Sequence, residues 1–347
     1  MIPVVPPSAE VGEQARRRVD ALAKPAGALG RLEDLAVWLA ACQHSCPPEP
    51  VDDVRVAVFA GDHGVAAHGV SAYPSAVTPA MVRLFHAGDA GVAVLARQHG
   101  VRLRVLDIGV NLSTADLGLP AEVTAYKIRR SSEPIHLADA LTPPEVHAGS
   151  RAGQAVADDE IAAGAQLLIS GDMGIGNTTP AAALIAAVLG LPADDVTGRG
   201  TGIDDAALAH KRDLIERALS RMGDRVAGTV DPVDLLAGLG SADIAASAGF
   251  MARAAERGVP VLLDGVVSVT AGLIAELLAP GAAAWFAAGH RSTEPAQSLA
   301  LEKLGLAPLL DLGMRLGEGS GAVAAVPLVR SAALLLREMA LLSDVLG

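Results

Sequence analysis

Short apolar runs that end in Gly or Asp recur through the middle of the chain. The runs are Val54–Ala60, Leu103–Ile108, Gln166–Ile169, Val259–Leu263 and Ala283–Ala287. Ala-rich helical segments lie between them: Pro180–Leu189, Asp205–Arg221, Ser241–Arg257 and Val269–Leu278. Buried strands that alternate with helices are typical of a parallel sheet with right-handed crossovers. The pattern predicts an α/β fold with a parallel Rossmann-like sheet flanked by helices, and ligands at the carboxyl ends of its strands.

The two ends of the chain have a different pattern. Residues 8–46 predict one or two helices around the turn Lys24–Gly30. Residues 296–347 predict a helix, the loop Leu316–Gly321, and an apolar helix that ends near Leu346. We expect a large α/β domain at residues 51–295, which binds the ligands, and a smaller helical domain built from residues 1–50 and 296–347.

Charge and hydropathy narrow the classes of partner. The net charge is −12, and no run of Lys or Arg could follow a phosphate backbone, so nucleic acid is not expected as a partner. Asp264, Glu276 and Pro280 interrupt the most apolar stretch, residues 259–288. The remaining pieces are too short to span a bilayer, so we expect a protein without a membrane segment.

Cys42 and Cys46 are the only cysteines in the sequence. They could form half of a metal site, but no second Cys/His pair completes four ligands, so idle thiols are the favoured interpretation. So few cysteines, together with no evident signal peptide, predict a cytoplasmic protein.

The strongest local signal is the segment Ser170–Ala183. Its glycines permit a tight turn after a strand, and Asn177, Thr178 and Pro180 suit the start of a helix. Free N–H groups and the helix dipole at such a turn favour phosphate binding. An ordinary capped turn is an equally reasonable interpretation of the segment alone.

Three further segments carry possible chemistry. Gly198–Asp205 is a second Gly-rich loop and opens a helix with Lys211, either a phosphate contact or a solvent-facing side chain. Glu318 lies between glycines in a loop, where it is either catalytic or merely solvated. Asp62, His63 and His68 lie in a Gly-rich loop, for which internal hydrogen bonding is favoured over a metal site.

Taken in order, these segments resemble the family of nicotinate-nucleotide–dimethylbenzimidazole phosphoribosyltransferases. The resemblance covers about nine-tenths of the chain and is carried by the following segments: Lys24-Pro25, Gly61–Val65, Gly171–Ala183, Pro260–Gly265 and Arg315–Gly321. It implies transfer of a phosphoribosyl group from nicotinate mononucleotide to 5,6-dimethylbenzimidazole, giving α-ribazole 5′-phosphate and nicotinate for the lower ligand of cobamides. It also implies a homodimer.

The resemblance assigns roles to individual positions. The catalytic base of the family falls on Glu318, and a second acid falls on Asp172, where some members have Glu. Phosphate and ribose contacts fall on Gly174, Gly176, Asn177, Thr178, Gly202, Lys211 and Ser292, and further substrate contacts on Asp264 and Leu316. Tyr73 and Met81 occupy base-pocket positions where some members have small or amide side chains.

The leaving group explains why we expect neither a metal nor another cofactor. Breaking the C1′–N bond of nicotinate mononucleotide releases a neutral ring nitrogen, whereas diphosphate-releasing enzymes hold their substrate with Mg²⁺ and paired acids, of which only Asp264 is present here. We expect Glu318 to accept the imidazole proton as the other ring nitrogen attacks C1′ with inversion. Three alternatives remain. The first is transfer to a different acceptor, such as adenine, another benzimidazole or a phenol. The second is a non-catalytic nucleotide-binding paralogue, and the third is a metal-dependent transferase.

Overall fold

One all-parallel sheet of six strands organises the chain. The computed structural model describes residues 4–226 and 231–346, within which the strands are β1 Val54–Gly61, β2 Val101–Gly109, β3 Leu167–Met173, β4 Val261–Leu263, β5 Phe286–His290 and β6 Pro308–Leu310. Their order across the sheet is β2-β1-β3-β4-β5-β6. The chain therefore reverses its direction across the sheet between β1 and β3, which is the usual place for a ligand in an open parallel sheet.

Helices cover both faces of the sheet. They are α1 Ala9–Ala21, α2 Arg31–Gln43, α3 Val77–Ala87, α4 Gly91–His99, α5 Thr114–Leu117, α6 Ala121–Thr124, α7 Pro143–Ala162, α8 Thr178–Leu189, α9 Ala193–Val196, α10 Asp205–Met222, α11 Pro232–Leu239, α12 Ala242–Glu256, α13 Val266–Leu278, α14 Pro295–Lys303, α15 Ser320–Glu338 and α16 Leu342–Leu346. Short 3₁₀ helices occupy Gly64–His68, Gly223–Val226 and Ala282–Trp285. The predicted α/β class with a parallel sheet is confirmed.

The structure corrects the predicted strands and helices in three places. The strand expected at Ala283–Ala287 begins later, at Phe286, because Ala282–Trp285 form a 3₁₀ turn. The apolar helix expected to end near Leu346 ends at Glu338, where Met339 adopts an extended conformation, and a separate short helix follows. Strand β6 was not predicted, because three half-buried residues that begin with proline give almost no strand signal.

The helices from the two ends of the chain pack together, as expected. Helix α15 packs against α2 and α4, and α1 packs against α2. The guanidinium of Arg18 donates a hydrogen bond of 2.7 Å to the carbonyl oxygen of Leu336, which joins the first helix to α15. The division of the chain at residues 50 and 295 remains a prediction.

Helix α15 is the one helix of the described ranges that is long and apolar enough to cross a membrane. Its apolar residues, among them Val323, Val326, Val329 and Leu336, are instead buried in the same core cluster as strand residues Val56 and Val58. The helix is thus a core element of the fold.

Candidate active site

A cleft of about 290 Å³ opens at the carboxyl ends of the central strands, beside the reversal of the chain between β1 and β3. Nine residues predicted from the sequence line it: Tyr73, Asp172, Gly176, Asn177, Thr178, Asp264, Ser292, Leu316 and Glu318. Four others lie outside this lining: Gly174, Gly202, Lys211 and Met81. The fold therefore brings together most of the chemistry that the sequence distributes between Tyr73 and Glu318, in keeping with the general location of ligands in such sheets.

Glu318 is held rigidly at one wall of the cleft. It is only 3% exposed, and its Oε2 accepts a hydrogen bond of 3.1 Å from the N–H of Val92, in the first turn of α4. Its own N–H donates to the carbonyl oxygen of Asp172 at 3.3 Å. The backbone has a positive φ of 65°, a left-handed conformation that non-glycine residues rarely adopt. Such strain at a buried carboxylate is typical of a functional position.

The surroundings of Glu318 make its carboxylate a stronger base than usual. Burial raises the pKa of Glu318 above its ordinary value, and the negative charge of Asp264 adds to the increase. The hydrogen bond from Val92 opposes it without cancelling it. A carboxylate with a raised pKa accepts a proton more readily near neutral pH, as general-base catalysis requires.

Asp264 anchors the loop that carries Glu318. Its Oδ2 accepts a hydrogen bond of 3.0 Å from the N–H of Gly319, and its Oδ1 one of 2.9 Å from the N–H of Ala322. The carboxylate thus caps the N-terminus of α15, where free N–H groups and the helix dipole favour a negative charge. The ring of His290 lies 3.4 Å from Oδ1. Burial alone would lower the pKa of His290, but the neighbouring carboxylate of Asp264 raises it overall.

We expect Asp264→Asn to weaken both folding and turnover, because the new amide group presents N–H donors to a backbone that also donates. Leaving buried donors unsatisfied should lower the free energy of unfolding by about 1–3 kcal/mol. The displaced Glu318 loop should lower kcat about tenfold or more. Urea unfolding and initial rates measure the two effects.

Asp231→Asn is the matched control, because Asp231 caps the exposed start of α11 with one bond to Val233. Asn caps a helix as well as Asp does, so this variant should resemble the native protein. Equal losses in both variants would contradict the anchoring role of Asp264.

Asp172 forms part of the floor of the cleft at the end of β3. Its Oδ1 accepts a hydrogen bond of 2.5 Å from the amide nitrogen of Asn177. Burial raises the pKa of Asp172 well above its ordinary value, and the neighbouring charge of Asp243 raises it further. Asp172 is therefore a carboxyl group that favours its protonated form, unlike an exposed aspartate.

The part of the cleft at the start of α8 is built mainly from backbone groups and so differs in character from the part at Glu318. Helix α8 begins at Thr178, and Gly176 before it has a positive φ of 89° that glycine adopts without strain. Neither Asn177 nor Thr178 places a side-chain cap on the first turn of α8. Because Gly176, Asn177 and Thr178 line the cleft, the positive end of the α8 dipole lies at its edge, an arrangement that favours phosphate.

Lys211 lies directly behind this turn and is fully buried, which excludes the solvent-facing interpretation. Its Nζ donates hydrogen bonds of 2.7 Å to Thr178 Oγ1 and 2.9 Å to the carbonyl oxygen of Gly198. Burial lowers the pKa of Lys211 to about 8, against the opposing effect of Glu294. The ammonium group thus ties the two Gly-rich loops together and places positive charge beneath them.

Three polar residues that sequence reasoning did not select also belong to the site. Arg315 is the only Lys or Arg in the lining of the cleft as the structure describes it, and its guanidinium donates a 3.0 Å hydrogen bond to the carbonyl oxygen of Gly200. Glu294 accepts a 2.7 Å hydrogen bond from the N–H of Gly200, and His290 pairs with Asp264. Arg315 stands inside the motif of Glu318, and the other two follow a predicted strand, so position alone could have suggested them.

The mouth of the cleft is apolar and accessible. Tyr73 and Leu316 both line it and are more than half exposed. The loop of Tyr73 is joined to the second Gly-rich loop by Thr201 Oγ1, which lies 3.1 Å from Ser71 Oγ and accepts from the N–H of Ala72 at 2.9 Å. Met81 instead packs against the hydrophobic core from α3, so its influence on a ligand is indirect.

The side chains of the loop after β1 contact neighbouring segments, whereas the sequence favoured hydrogen bonding within the loop, and neither ring nitrogen of His63 has a hydrogen-bond partner among the described residues. Asp62 Oδ2 accepts a 2.8 Å hydrogen bond from the N–H of Asn111. The ring of His68 packs edge-on against His136 with centroids 4.4 Å apart, and its carbonyl oxygen lies 2.9 Å from Nε2 of His210. These contacts fix the loop against its neighbours.

Comparison with known proteins gives a consistent result. A sequence model of a family described as "Phosphoribosyltransferase" matches residues 4–345. The chain is 53% identical over 337 residues to the nicotinate-nucleotide–dimethylbenzimidazole phosphoribosyltransferase of Mycolicibacterium paratuberculosis, covering 97% of this chain and 95% of that protein. It is 51% identical over 342 residues to the enzyme of the same name from Mycobacterium tuberculosis, covering 99% and 93%. The solved enzyme of that name from Thermus thermophilus superposes with a TM-score of 0.90 at 42% identity, covering 97% of this chain and 98% of that one.

Proposed function

Because this chain belongs to the family of nicotinate-nucleotide–dimethylbenzimidazole phosphoribosyltransferases, we propose that its cleft transfers the phosphoribosyl group of nicotinate mononucleotide to 5,6-dimethylbenzimidazole. The products are α-ribazole 5′-phosphate and nicotinate, used for the lower ligand of cobalamin. The observation that carries the proposal is one cleft lined both by a buried, strained Glu318 and by the Gly-rich turn before α8.

The phosphate of the nucleotide binds at the N-terminus of α8. The backbone N–H groups of Gly176 and Thr178 supply hydrogen bonds, since that of Asn177 already donates to the carbonyl oxygen of Gly174, and the buried ammonium of Lys211 supplies positive charge behind them. Arg315 is the cation that reaches the cleft itself and can pair with an anionic group of the substrate.

The acceptor ring enters through the apolar mouth. Val266 and Val267 at the start of α13 line the cleft together with Tyr73 and Leu316, so a flat apolar ring loses water on entry. This surface favours a benzimidazole over a polar purine. A competition between dimethylbenzimidazole and adenine, with the products separated by mass spectrometry, tests the preference.

Glu318 accepts the N–H proton of the benzimidazole while the other ring nitrogen forms a bond to C1′. The C1′–N bond to the pyridinium breaks, and its electron pair returns to the ring nitrogen. Nicotinate leaves with a neutral ring nitrogen, and the configuration at C1′ is inverted. Proton transfer of this kind contributes about 10²–10⁴-fold to the rate. Fixing both rings on opposite sides of the ribose contributes further through positioning.

The test is incubation of the protein with nicotinate mononucleotide and dimethylbenzimidazole, with and without EDTA, followed by detection of free nicotinate and of α-ribazole phosphate. Release of both products in either condition supports the proposal. Nicotinate release without a base adduct would indicate a hydrolase and contradict it, and activity that EDTA abolishes would favour a metal-dependent transferase.

We expect Lys211→Met to raise the KM for nicotinate mononucleotide about 10–100-fold, because it removes the positive charge beneath the phosphate and the charged hydrogen bonds to Thr178 and Gly198, each of which contributes about 1.5–3 kcal/mol. The native enzyme should lose affinity above pH 8 as this ammonium, whose pKa is lowered to about 8, becomes neutral. The variant should lack that alkaline loss, since Met does not titrate. Initial rates at varied nucleotide concentration from pH 6 to 9 measure both.

Lys303→Met, at an exposed position of α14, is the control and should leave KM and its pH dependence unchanged. An unchanged KM in Lys211→Met would exclude Lys211 from phosphate binding.

The active protein is a cytoplasmic homodimer. Exposed apolar side chains at the C-terminal end, Leu342, Val345 and Leu346, provide surface that association would bury. Light scattering of the purified protein gives the mass directly, and a monomeric mass in an active sample would contradict the dimer.

A further inference from the structure

A second set of ionisable side chains lies buried beneath the floor of the cleft. Asp243 lies in the first turn of α12 and is 1% exposed, and His63 follows β1 and is 2% exposed. Asp172, which forms the floor itself, is 7% exposed. Charged groups are rarely buried this deeply unless they are paired, so their arrangement calls for a physical explanation.

Two glycines at strand ends make room for this set. A Cβ at Gly61 would lie 2.5 Å from Oδ1 of Asp243, and a Cβ at Gly174 would lie 2.7 Å from Nε2 of His63. Both substitutions would displace the ionisable groups, since a Cβ atom does not approach another heavy atom this closely. Gly174, which the sequence suggested as a ligand contact, thus supports the site from below.

The two carboxyl groups have no cation to neutralise them. The carboxyl groups of Asp172 and Asp243 are neighbours, and burial first, then the charge of Asp243 and a hydrogen bond to it, raise the pKa of Asp172. Across residues 4–226 and 231–346, no Lys or Arg forms an ion pair with either carboxyl group, and the nearest basic group is the ring of His63, 3.6 Å from Asp243 Oδ2. The other titratable groups around the pair are Asp62 after β1, Asp264 after β4 with His290 beside it, and Glu318 in the loop before α15.

Carboxyl oxygens without a hydrogen-bond donor indicate where a proton can bind. Among the described residues, Oδ2 of Asp172 and both carboxyl oxygens of Asp243 have no hydrogen-bond donor. Oδ1 of Asp172 is already occupied by Asn177, so Oδ2 is the atom left to face a proton. Two adjacent carboxylates repel each other, but one proton between them forms a strong charge-assisted hydrogen bond.

We propose that Asp172 and Asp243 share a single proton, and that Asp243 is thereby a positioning residue that fixes Asp172 and the amide of Asn177 at the floor of the cleft. The pair carries one negative charge instead of two, which limits repulsion of the anionic substrate and of Glu318. Burial and the charge of Asp243 raise the pKa of Asp172, as a shared proton requires. The catalytic consequence of the shared proton rests on the proposed function of the cleft, whereas the shared proton itself does not.

Infrared spectroscopy tests the shared proton directly. The native protein at pH 7.5 should show the carbonyl stretch of a protonated carboxylic acid, and both Asp172→Asn and Asp243→Asn should lack it, since each leaves one ionised carboxylate that accepts an amide N–H. A native spectrum without that band, or a band that persists in Asp243→Asn, would overturn the proposal. This readout is independent of turnover, so it also stands if nicotinate release is not found.

Kinetics then test the positioning role. Asn at position 243 mimics a protonated carboxyl group, so Asp243→Asn should keep kcat within about threefold of native near neutral pH and lose the alkaline decline caused by loss of the shared proton. Asp243→Ala provides no donor and should lower kcat about tenfold or more, because Asp172 and Asn177 are no longer held in place. Equal kcat and equal pH profiles in the native, Asn and Ala forms would overturn the positioning role, and a poorly folding Ala variant leaves the native-against-Asn comparison decisive.

Discussion

Glu318→Gln should lower kcat by about 10²–10⁴-fold, because Gln cannot accept the proton that leaves the incoming base. The amide oxygen can still accept the hydrogen bond from Val92, so the loop should keep its position. The KM for nicotinate mononucleotide should therefore change little, since the phosphate is held by other residues. Initial rates of nicotinate release with both substrates saturating measure the change.

The same variant should be more stable than the native protein at neutral and alkaline pH. Burial raises the pKa of Glu318 in the folded protein, so the folded state disfavours the carboxylate once the pH exceeds the ordinary value. This penalty is absent at low pH, where Glu318 is protonated in both states, and it develops as the pH rises through the raised pKa. Gln stays neutral throughout, so the difference in Tm should grow from pH 4 to pH 8 in favour of the variant.

Glu302→Gln, at an exposed position of α14, is the matched control and should change neither kcat nor Tm. A native kcat in Glu318→Gln would remove this side chain from the role of base. A lower Tm at every pH would contradict the claim that the buried charge destabilises the fold. Replacement of a catalytic group is expected to lower activity and raise stability together when the surroundings of that group favour the reaction at the expense of stability.

Local sequence patterns were sufficient to predict the architecture around this site. The run Val54–Ala60, apart from Arg55, and the segment before Gly171 are apolar strands because both faces of the sheet are covered by helices. The Gly-rich turn before α8 was visible because only small residues and helix-starting residues can connect a buried strand to a helix so tightly. These features depend on neighbours within a few positions.

The relationships that create the chemistry are long-range and were not predictable in the same way. Asp264 resembled an isolated acid in the sequence, yet it caps a helix that begins 56 positions later, as its bond to Gly319 shows. The pairing of Asp243 with Asp172 depends on the approach of α12 to the end of β3, which no periodicity encodes. Glu318 itself was found through its motif, but its bond to Val92 spans 226 positions.

Gly171→Ala should lower kcat about 100-fold although residue 171 carries no functional group, because a misplacement of about 1 Å at a catalytic group can have an effect of this size. A Cβ at this position would collide with the carbonyl oxygen of Glu318 and lie 2.7 Å from its carbonyl carbon. The obstacle is backbone, so the loop must move and the carboxylate moves with it. The nucleotide end of the cleft lies on other elements, so KM for nicotinate mononucleotide should change much less than kcat.

The matched control is Gly109→Ala at the end of β2, where an added Cβ would meet only ordinary contacts at 3.6 and 3.7 Å. Overpacking at Gly171 should also lower the free energy of unfolding by about 1–3 kcal/mol, measured by urea denaturation. Gly109→Ala should show neither loss, since its surroundings accept a methyl group without rearrangement. Because the strand end and the Glu318 loop touch backbone to backbone, native turnover in Gly171→Ala would mean that the position of Glu318 does not limit the reaction.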